Sequence, residues 1–199
     1  MPGQGALNEL SDLTAPAGHR DDMRLMQRIA KGDLRAFERF YRDFQPRLTR
    51  FLTLMLRRPH LVEEVLNDTM MVVWNKADSY TGKSRVSTWI FTIAYRKGAK
   101  ALRNLDEPVE DFSLENRPGT EAAADVAMDR RQMNDRLLKG LASLSPDHRS
   151  VVDLTYFQEF DYREIAQIME CPVDTVKTRM FHARRRLKDV LGGELTDWL

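Results

Sequence analysis

A chain of 199 residues with 42% hydrophobic side chains has room for one or two small domains with real cores. One cysteine, Cys171, excludes an intrachain disulfide, the four histidines are scattered without metal-ligand spacing, and no apolar run reaches membrane-spanning length or forms a signal-peptide core. A cytoplasmic protein without metal, cofactor or membrane insertion is expected, and a net charge of only +1 leaves its partners to be read from where the charges lie.

Residues 1–20, rich in Gly, Pro, Ala and polar residues, read as a flexible N-terminal tail. Asp22 is then expected to cap a helix carrying Leu25, Met26 and Ile29, which Gly32 ends. Asp33 caps a second helix with Phe37, Phe40, Tyr41, Phe44, Leu48 and Phe51, in which Pro46 should force a kink or a local rearrangement. A third helix starts near Pro59, carries Leu61, Val62, Val65, Leu66, Thr69, Val72 and Val73, and runs to about Lys76. The stretch from Asp78 to Ser87 is loop-like. A fourth helix, capped by Ser87 or Thr88, carries Trp89, Ile90, Ile93 and Ala94 to about Leu102. Pro108, Pro118, Gly119 and many acids make 106–125 a linker by composition. Helices are expected from about Val126 to Ala142 and from Pro146 to Phe157.

The last quarter carries two further helices around a tight turn. Tyr162, Ile165, Ala166 and Met169 recur at helical spacing, as do Val173, Val176, Met180, Ala183, Leu187 and Leu191, and Pro172 suits the first turn of the second. This is the pattern of a helix-turn-helix, whose second helix enters a DNA major groove. No strand pattern appears. The fold class is all-α: a helical domain over 21–105, a flexible acidic linker over 106–125, a second helical domain over 126–192, and a short tail over 193–199.

Charge is segregated along this plan. From Lys83 to Arg103 there are six cations and no carboxylate; from Asp106 to Asp129, eight carboxylates and one cation; from Pro172 to Leu191, six Lys and Arg against two Asp. Basic blocks fit polyanion contact, with a solvated helix face as the bland alternative. In the first block Tyr80, Trp89, Phe91 and Tyr95 interleave with the cations. Aromatic planes stack on unpaired bases while cations hold phosphates, the mixture a protein needs to capture separated strands. Trp89 and Phe91 fit a core role equally well; Tyr80, in a polar loop, fits it less well. Glu63, Glu64, Asn67 and Asp68 form one polar stripe at helical spacing, read either as a solvated face or as a docking surface.

These segments, in this order, resemble a bacterial sigma factor of the extracytoplasmic-function (ECF) group of the sigma-70 family. The matching features are Gly32-Asp33 with Ala36-Phe37, Phe40-Tyr41, Pro46, Leu48 and Phe51; EEVLNDTMMVVW from Glu63 to Trp74; YTGKSRVSTWIFTIA from Tyr80 to Ala94; and Gly140 to Leu187. The resemblance implies a protein that docks on core RNA polymerase through Glu63, Glu64, Asn67 and Asp68. It implies minus-ten recognition and strand opening by Tyr80, Lys83, Ser84, Arg85, Arg96, Lys97 and Lys100, the loop 79–87 holding a flipped base of the melted non-template strand. It implies minus-thirty-five duplex recognition by Thr175, Lys177, Thr178, Arg179, Phe181, His182 and Arg184. Of these, Lys177, Thr178, Phe181 and His182 would face base edges, and Arg179 and Arg184 phosphates. It also implies control by an anti-sigma factor. Four positions depart from the family pattern: Asn67-Asp68 stands where Gln-Glu is usual, Arg96 where Asn is common, and Asp174 where Gly is common.

An autonomous helix-turn-helix regulator is the alternative, but it needs neither the aromatic-basic loop nor the acidic linker. An enzyme is disfavoured, because no nucleophile–base pair, metal cluster or phosphate-binding Gly loop is present.

Overall fold

The computed structural model describes residues 17–105 and 138–191. The first segment holds α1 (Ala17–Ile29), α2 (Leu34–Leu56), α3 (Pro59–Lys76), a 3₁₀ turn (Ala77–Ser79) and α4 (Val86–Arg103). The second holds a helical stretch over 138–142, then α5 (Pro146–Tyr156), α6 (Tyr162–Ile168) and α7 (Val173–Leu191). No strand occurs among the described residues. Most of the expected tail over 1–20, the linker over 106–125, the part before residue 138 of the helix expected from about Val126 to Ala142, and the tail over 193–199 lie outside them.

Local chemistry sets most boundaries. Asp33 caps α2 by accepting from the Ala36 amide at 3.1 Å, and Ser145 caps α5 with Pro146 at its first position. Helix α2 runs unbroken through Pro46. Two boundaries differ from the sequence reading. Helix α1 begins at Ala17, so Asp22 sits inside it rather than at its cap. Helix α4 begins at Val86 with Arg85 at its N-cap and no side-chain cap bond, so Ser87 and Thr88 lie in its first turn and Thr88 is buried.

The core of the first segment is aromatic. Phe40, Phe44, Phe51 and Phe91 are fully buried, and α4 comes close enough to α2 that a Cβ added at Gly98 would meet Met55 Sδ at 3.1 Å. Truncating one such phenylalanine to alanine typically costs about 3–5 kcal/mol.

The second segment does not stand apart: α5 and α6 pack on α2 and α4. The Phe160 ring meets Phe91 edge-on at 5.2 Å, and Phe91 in turn meets Phe51 at 5.4 Å. Arg149 of α5 is buried and donates to the carbonyls of Leu144 at 2.8 Å and Met55 at 3.2 Å. Burial lowers its pKa to about 10, with the Arg57 charge adding to the effect. The Met55 carbonyl lies in the last turn of α2, and the residue four positions on is Pro59, which has no N–H to give it. The guanidinium from the other segment supplies that donor at the negative end of the helix dipole.

A second polar cluster sits beside it. Asp153, with no exposed surface, accepts from Gln158 Nε2 at 3.1 Å. Its Oδ1 makes no hydrogen bond, but Arg50 Nε lies 3.5 Å away. Gln158 Oε1 accepts from Arg47 Nε at 3.1 Å, and the Arg50 guanidinium lies 3.6 Å from the Phe157 ring centre. Burial raises the Asp153 pKa to about 6 despite Gln158, Arg50 and Arg47. Burial likewise raises Asp22 to about 6, against Arg47 and Arg39 and with Asp43 and Asp21 adding to the rise.

The sign of the pH effect follows. A carboxyl whose folded pKa lies above its unfolded value favours the fold most when protonated, so its contribution is full below about pH 4 and lost as pH rises through about 6. For Asp153 the difference between these limits is about 3 kcal/mol. Thermal melts should therefore show a gain in stability between pH 7 and pH 5 that Asp153→Asn reduces and Asp22→Asn/Asp153→Asn flattens. An unchanged pH profile in the double variant would show that these carboxyls ionise normally in the fold.

Candidate nucleic-acid interface

Helices α6 and α7 form the helix-turn-helix. Asp161 accepts from the amides of Arg163 at 2.8 Å and Glu164 at 2.9 Å, and Glu164 Oε2 accepts from the Asp161 amide at 3.1 Å, closing a capping box. Glu170 takes a left-handed backbone (φ 51) in the turn, and the Cys171 amide donates back to the Ala166 carbonyl at 3.0 Å. Val176, Met180, Ala183 and Leu187 are buried, as their spacing requires.

That packing leaves Lys177, Thr178, Phe181, His182 and Arg184 on the exposed face of α7. The Phe181 ring is 63% exposed, a large apolar surface in water on the first turns of a basic helix. Lys177 Nζ pairs with Asp174 at 3.0 Å, and the Arg184 Nη2 donates to Tyr156 Oη at 2.6 Å, which orients the guanidinium. Thr175 is half-buried. Arg179 differs from the rest: it is half-buried, pairs with Asp147 at 2.5 Å and lies 3.7 Å from Cys171 Sγ, so it ties α7 to α5. Burial pushes the Cys171 thiol pKa up, which keeps it protonated and disfavours redox reactivity.

The loop before α4 turns at Gly82, whose φ of +74° suits glycine. Tyr80 is half-buried with its ring 5.6 Å from Trp89, and its hydroxyl donates to the Ser84 carbonyl at 2.6 Å. Burial raises its pKa to about 12. Tyr80 thus braces the loop, and the fully buried Phe91 belongs to the core. Lys83, Arg85, Arg96 and Lys100 are exposed, and the half-exposed Lys97 bonds to Asp68 of α3 at 2.7 Å. Arg85 and Arg96 reach carboxylates of the second segment: Arg85 Nε lies 3.3 Å from Glu164, and Arg96 bonds to Glu170.

Glu63, Glu64, Asn67 and Asp68 form a continuous exposed stripe on α3. Beside it is a feature the sequence reading missed. Met71, one turn beyond Asn67, is 54% exposed, and Leu34 on α2 is 58% exposed. Between these helices the Trp74 and Phe37 rings meet edge-on at 5.2 Å, and Leu34, Phe37, Tyr41 and Pro46 line a shallow groove. Helical periodicity assigns Phe37 and Tyr41 to a buried face; only the packing shows that this edge of the face has no cover among the described residues.

The class defined here is an all-α protein with an aromatic-basic helical module, a second module ending in a basic helix-turn-helix, and an exposed acidic stripe beside exposed apolar side chains. Residues 40–107 match the model of sigma-70 region 2, and residues 134–187 match that of sigma-70 region 4. The ECF RNA polymerase sigma factor RpoE of Cereibacter sphaeroides is 30% identical over 88% of this chain and 98% of its own length. The ECF RNA polymerase sigma factor SigK of Mycobacterium ulcerans is 28% identical over 90% of this chain and 98% of its own. Among solved structures, the sigma factor RpoE of Bartonella quintana in complex with the anti-sigma factor NepR superposes with a TM-score of 0.64 at 26% identity, covering 79% of this chain and 98% of that one. The chain belongs to the ECF group of the sigma-70 family.

Proposed function

We propose that this chain binds core RNA polymerase and directs it to a dedicated class of promoters, catalysing no reaction itself. The observation that carries this reading is the exposed face of Lys177, Thr178, Phe181 and His182 on α7, held out by a helix-turn-helix whose other face is fully buried. In this reading 126–192 reads the minus-thirty-five duplex, with Thr175 at its edge, Arg184 on phosphate and Arg179 in a bracing role. The domain over 21–105 reads and opens the minus-ten element through Lys83, Ser84, Arg85, Arg96, Lys97 and Lys100 around a loop braced by Tyr80. The stripe of Glu63, Glu64, Asn67 and Asp68 docks on the polymerase, and Met71 beside it adds apolar area. The linker over 106–125 joins the two domains. Control by an anti-sigma factor fits the exposed groove around Leu34 and Phe37. No helix among the described residues is long and apolar enough to cross a membrane, in keeping with a cytoplasmic protein.

The test is run-off transcription with purified bacterial core polymerase on random promoter fragments. Discrete starts that depend on both the chain and the core enzyme are expected. DNA footprints made by the chain alone, with no polymerase-dependent starts, would instead indicate an autonomous regulator. Asp68→Arg should lower affinity for core polymerase by roughly tenfold or more in a co-purification titration, a size consistent with reversing one charge in a docking stripe. The fold should survive, because Asp68 is exposed and its pair with Lys97 is a surface ion pair worth under about 1 kcal/mol. Unchanged co-purification would remove the stripe from the interface.

A further inference from the structure

The first turn of α7 carries a charge for which a DNA-reading helix has no general use. Asp174 is the only carboxylate from Val173 to Lys188, a stretch with six Lys and Arg. Its side chain is 89% exposed, so no partner draws it inward as Asp147 does Arg179. Asp174, Lys177, Thr178 and Phe181 stand at i, i+3, i+4 and i+7 and are all exposed, so they share one face. Lys177 Nζ donates to Asp174 Oδ1 at 3.0 Å, and Asp174 Oδ2 has no hydrogen-bond partner among the described residues. Thr178 Oγ1 donates to the Asp174 carbonyl at 2.9 Å, which fixes its proton on the helix. Phosphates repel a carboxylate, so Asp174 weakens binding to any sequence unless it meets a donor on a base. It accepts and cannot donate, whereas the ammonium beside it donates and cannot accept.

We infer that Asp174 and Lys177 act as one acceptor–donor pair that reads a single G·C base pair of the minus-thirty-five element, Asp174 accepting from cytosine N4 and Lys177 donating to guanine O6 and N7. This deepens the promoter reading proposed above and rests on it. The N-terminal residues of a recognition helix are the ones that meet base edges. Within one base pair the amino and keto groups are hydrogen-bonded to each other. They therefore stand about as far apart as Lys177 Nζ and Asp174 Oδ1, at 3.0 Å. An A·T pair also sets an amino group beside a keto oxygen. There, however, adenine N7 meets the carboxylate with a second acceptor. Cytosine has no such acceptor, and guanine gives the ammonium two. Much of the selectivity comes by rejection: where the groove turns an acceptor toward Asp174, two acceptors meet and both go unpaired. An acid in the first turn also suits the helix dipole, but that role carries no base preference.

The experiment is run-off transcription by core polymerase loaded with the full chain. The templates are a barcoded library built on a promoter recovered from the random fragments, with the minus-thirty-five element randomised and the transcripts sequenced. At one position the parent should favour G·C by about tenfold or more over the other three base pairs. Asp174→Ala should reduce that preference about fivefold or more, raise transcription from the disfavoured templates, and leave every other position within about twofold. Lys177→Ala should flatten the same position. Asp174→Asn should admit A·T there, because an amide pairs with adenine N6 and N7. Melting temperatures should stay close to the parent's, since the pair is exposed and weak. An even fall in transcription with every base preference kept would leave Asp174 a role on the helix dipole alone and overturn the pair. Flattening at different positions in the two alanine variants, or a favoured A·T pair at the shared one, would overturn it as well. If Lys177→Ala removes a preference of the parent and Asp174→Ala removes none, promoter reading stands and the pair alone fails. If the parent shows no minus-thirty-five preference at all, promoter reading fails and takes the pair with it.

Discussion

Replacing Arg149 with methionine should lower the melting temperature of the chain by roughly 5–10 °C. Methionine keeps most of the volume and the apolar stem, so the change isolates the guanidinium. What is lost is the donor to Leu144 O at 2.8 Å and to Met55 O at 3.2 Å, both buried. Hydrogen bonds from a charged group contribute about 1.5–3 kcal/mol each, and stranding a buried acceptor adds to the loss. Against this stands the relief of desolvating a cation, visible in the lowered pKa of Arg149 and in its Nε, which has no partner. The balance is a net loss of about 2–3 kcal/mol, and for a chain of this size each kcal/mol moves the midpoint by about 2–4 °C. Calorimetry gives the number. Hydrogen exchange gives the location, with faster exchange at the end of α2 and the start of α5 and little change within α3. A midpoint within a degree of the parent would show that the guanidinium only breaks even.

Much of the fold is legible in the sequence because helix signals are local. Asp33, Pro59, Ser145 and Pro172 mark helix starts through side-chain chemistry within one turn, and the structure begins α2, α3, α5 and α7 beside them. The exposed face of α7 is legible for the same reason: burying Val176, Met180, Ala183 and Leu187 leaves Lys177, Thr178, Phe181 and His182 no other direction. What depends on a partner from elsewhere in the chain is not legible. Asp22 has the look of a cap, but α1 starts earlier, and Asp22 becomes a half-buried carboxyl near Arg47. Arg179 shares its helix with the exposed Lys177, Thr178, Phe181 and His182, yet Asp147, 32 positions earlier, draws it inward. Arg149 reads as an ordinary helical cation. Its bond across to Met55 answers an α2 end where Pro59 has no N–H to give that carbonyl. No periodicity reports that the acids of one domain will meet the arginines of the other.

The second large effect is expected on the recognition helix. Lys177→Ala/Phe181→Ala should cut run-off transcription from the cognate promoter at least about 30-fold, while binding to core polymerase and the melting temperature stay close to the parent. The estimate follows from the chemistry of groove reading. A good contact to a base edge contributes about 1–3 kcal/mol of discrimination, so two lost contacts exceed about 2 kcal/mol. Lys177 reaches DNA at small cost, since its pair with Asp174 is exposed and weak. Phe181 offers an apolar ring of a kind that suits a thymine methyl, and its 63% exposure means that truncation gives up little folded packing, chiefly an edge contact with the His182 ring at 5.5 Å. The two side chains lie one turn apart on the same exposed face, so their effects should show coupling rather than simple addition. The size of the loss depends on salt in a telling way. Removing Lys177 should flatten the salt dependence of promoter binding, whereas Phe181→Ala should shift affinity without changing the slope. A flattened slope from Phe181→Ala, or a polymerase-binding defect in the double variant, would place these residues on a protein interface instead of on DNA.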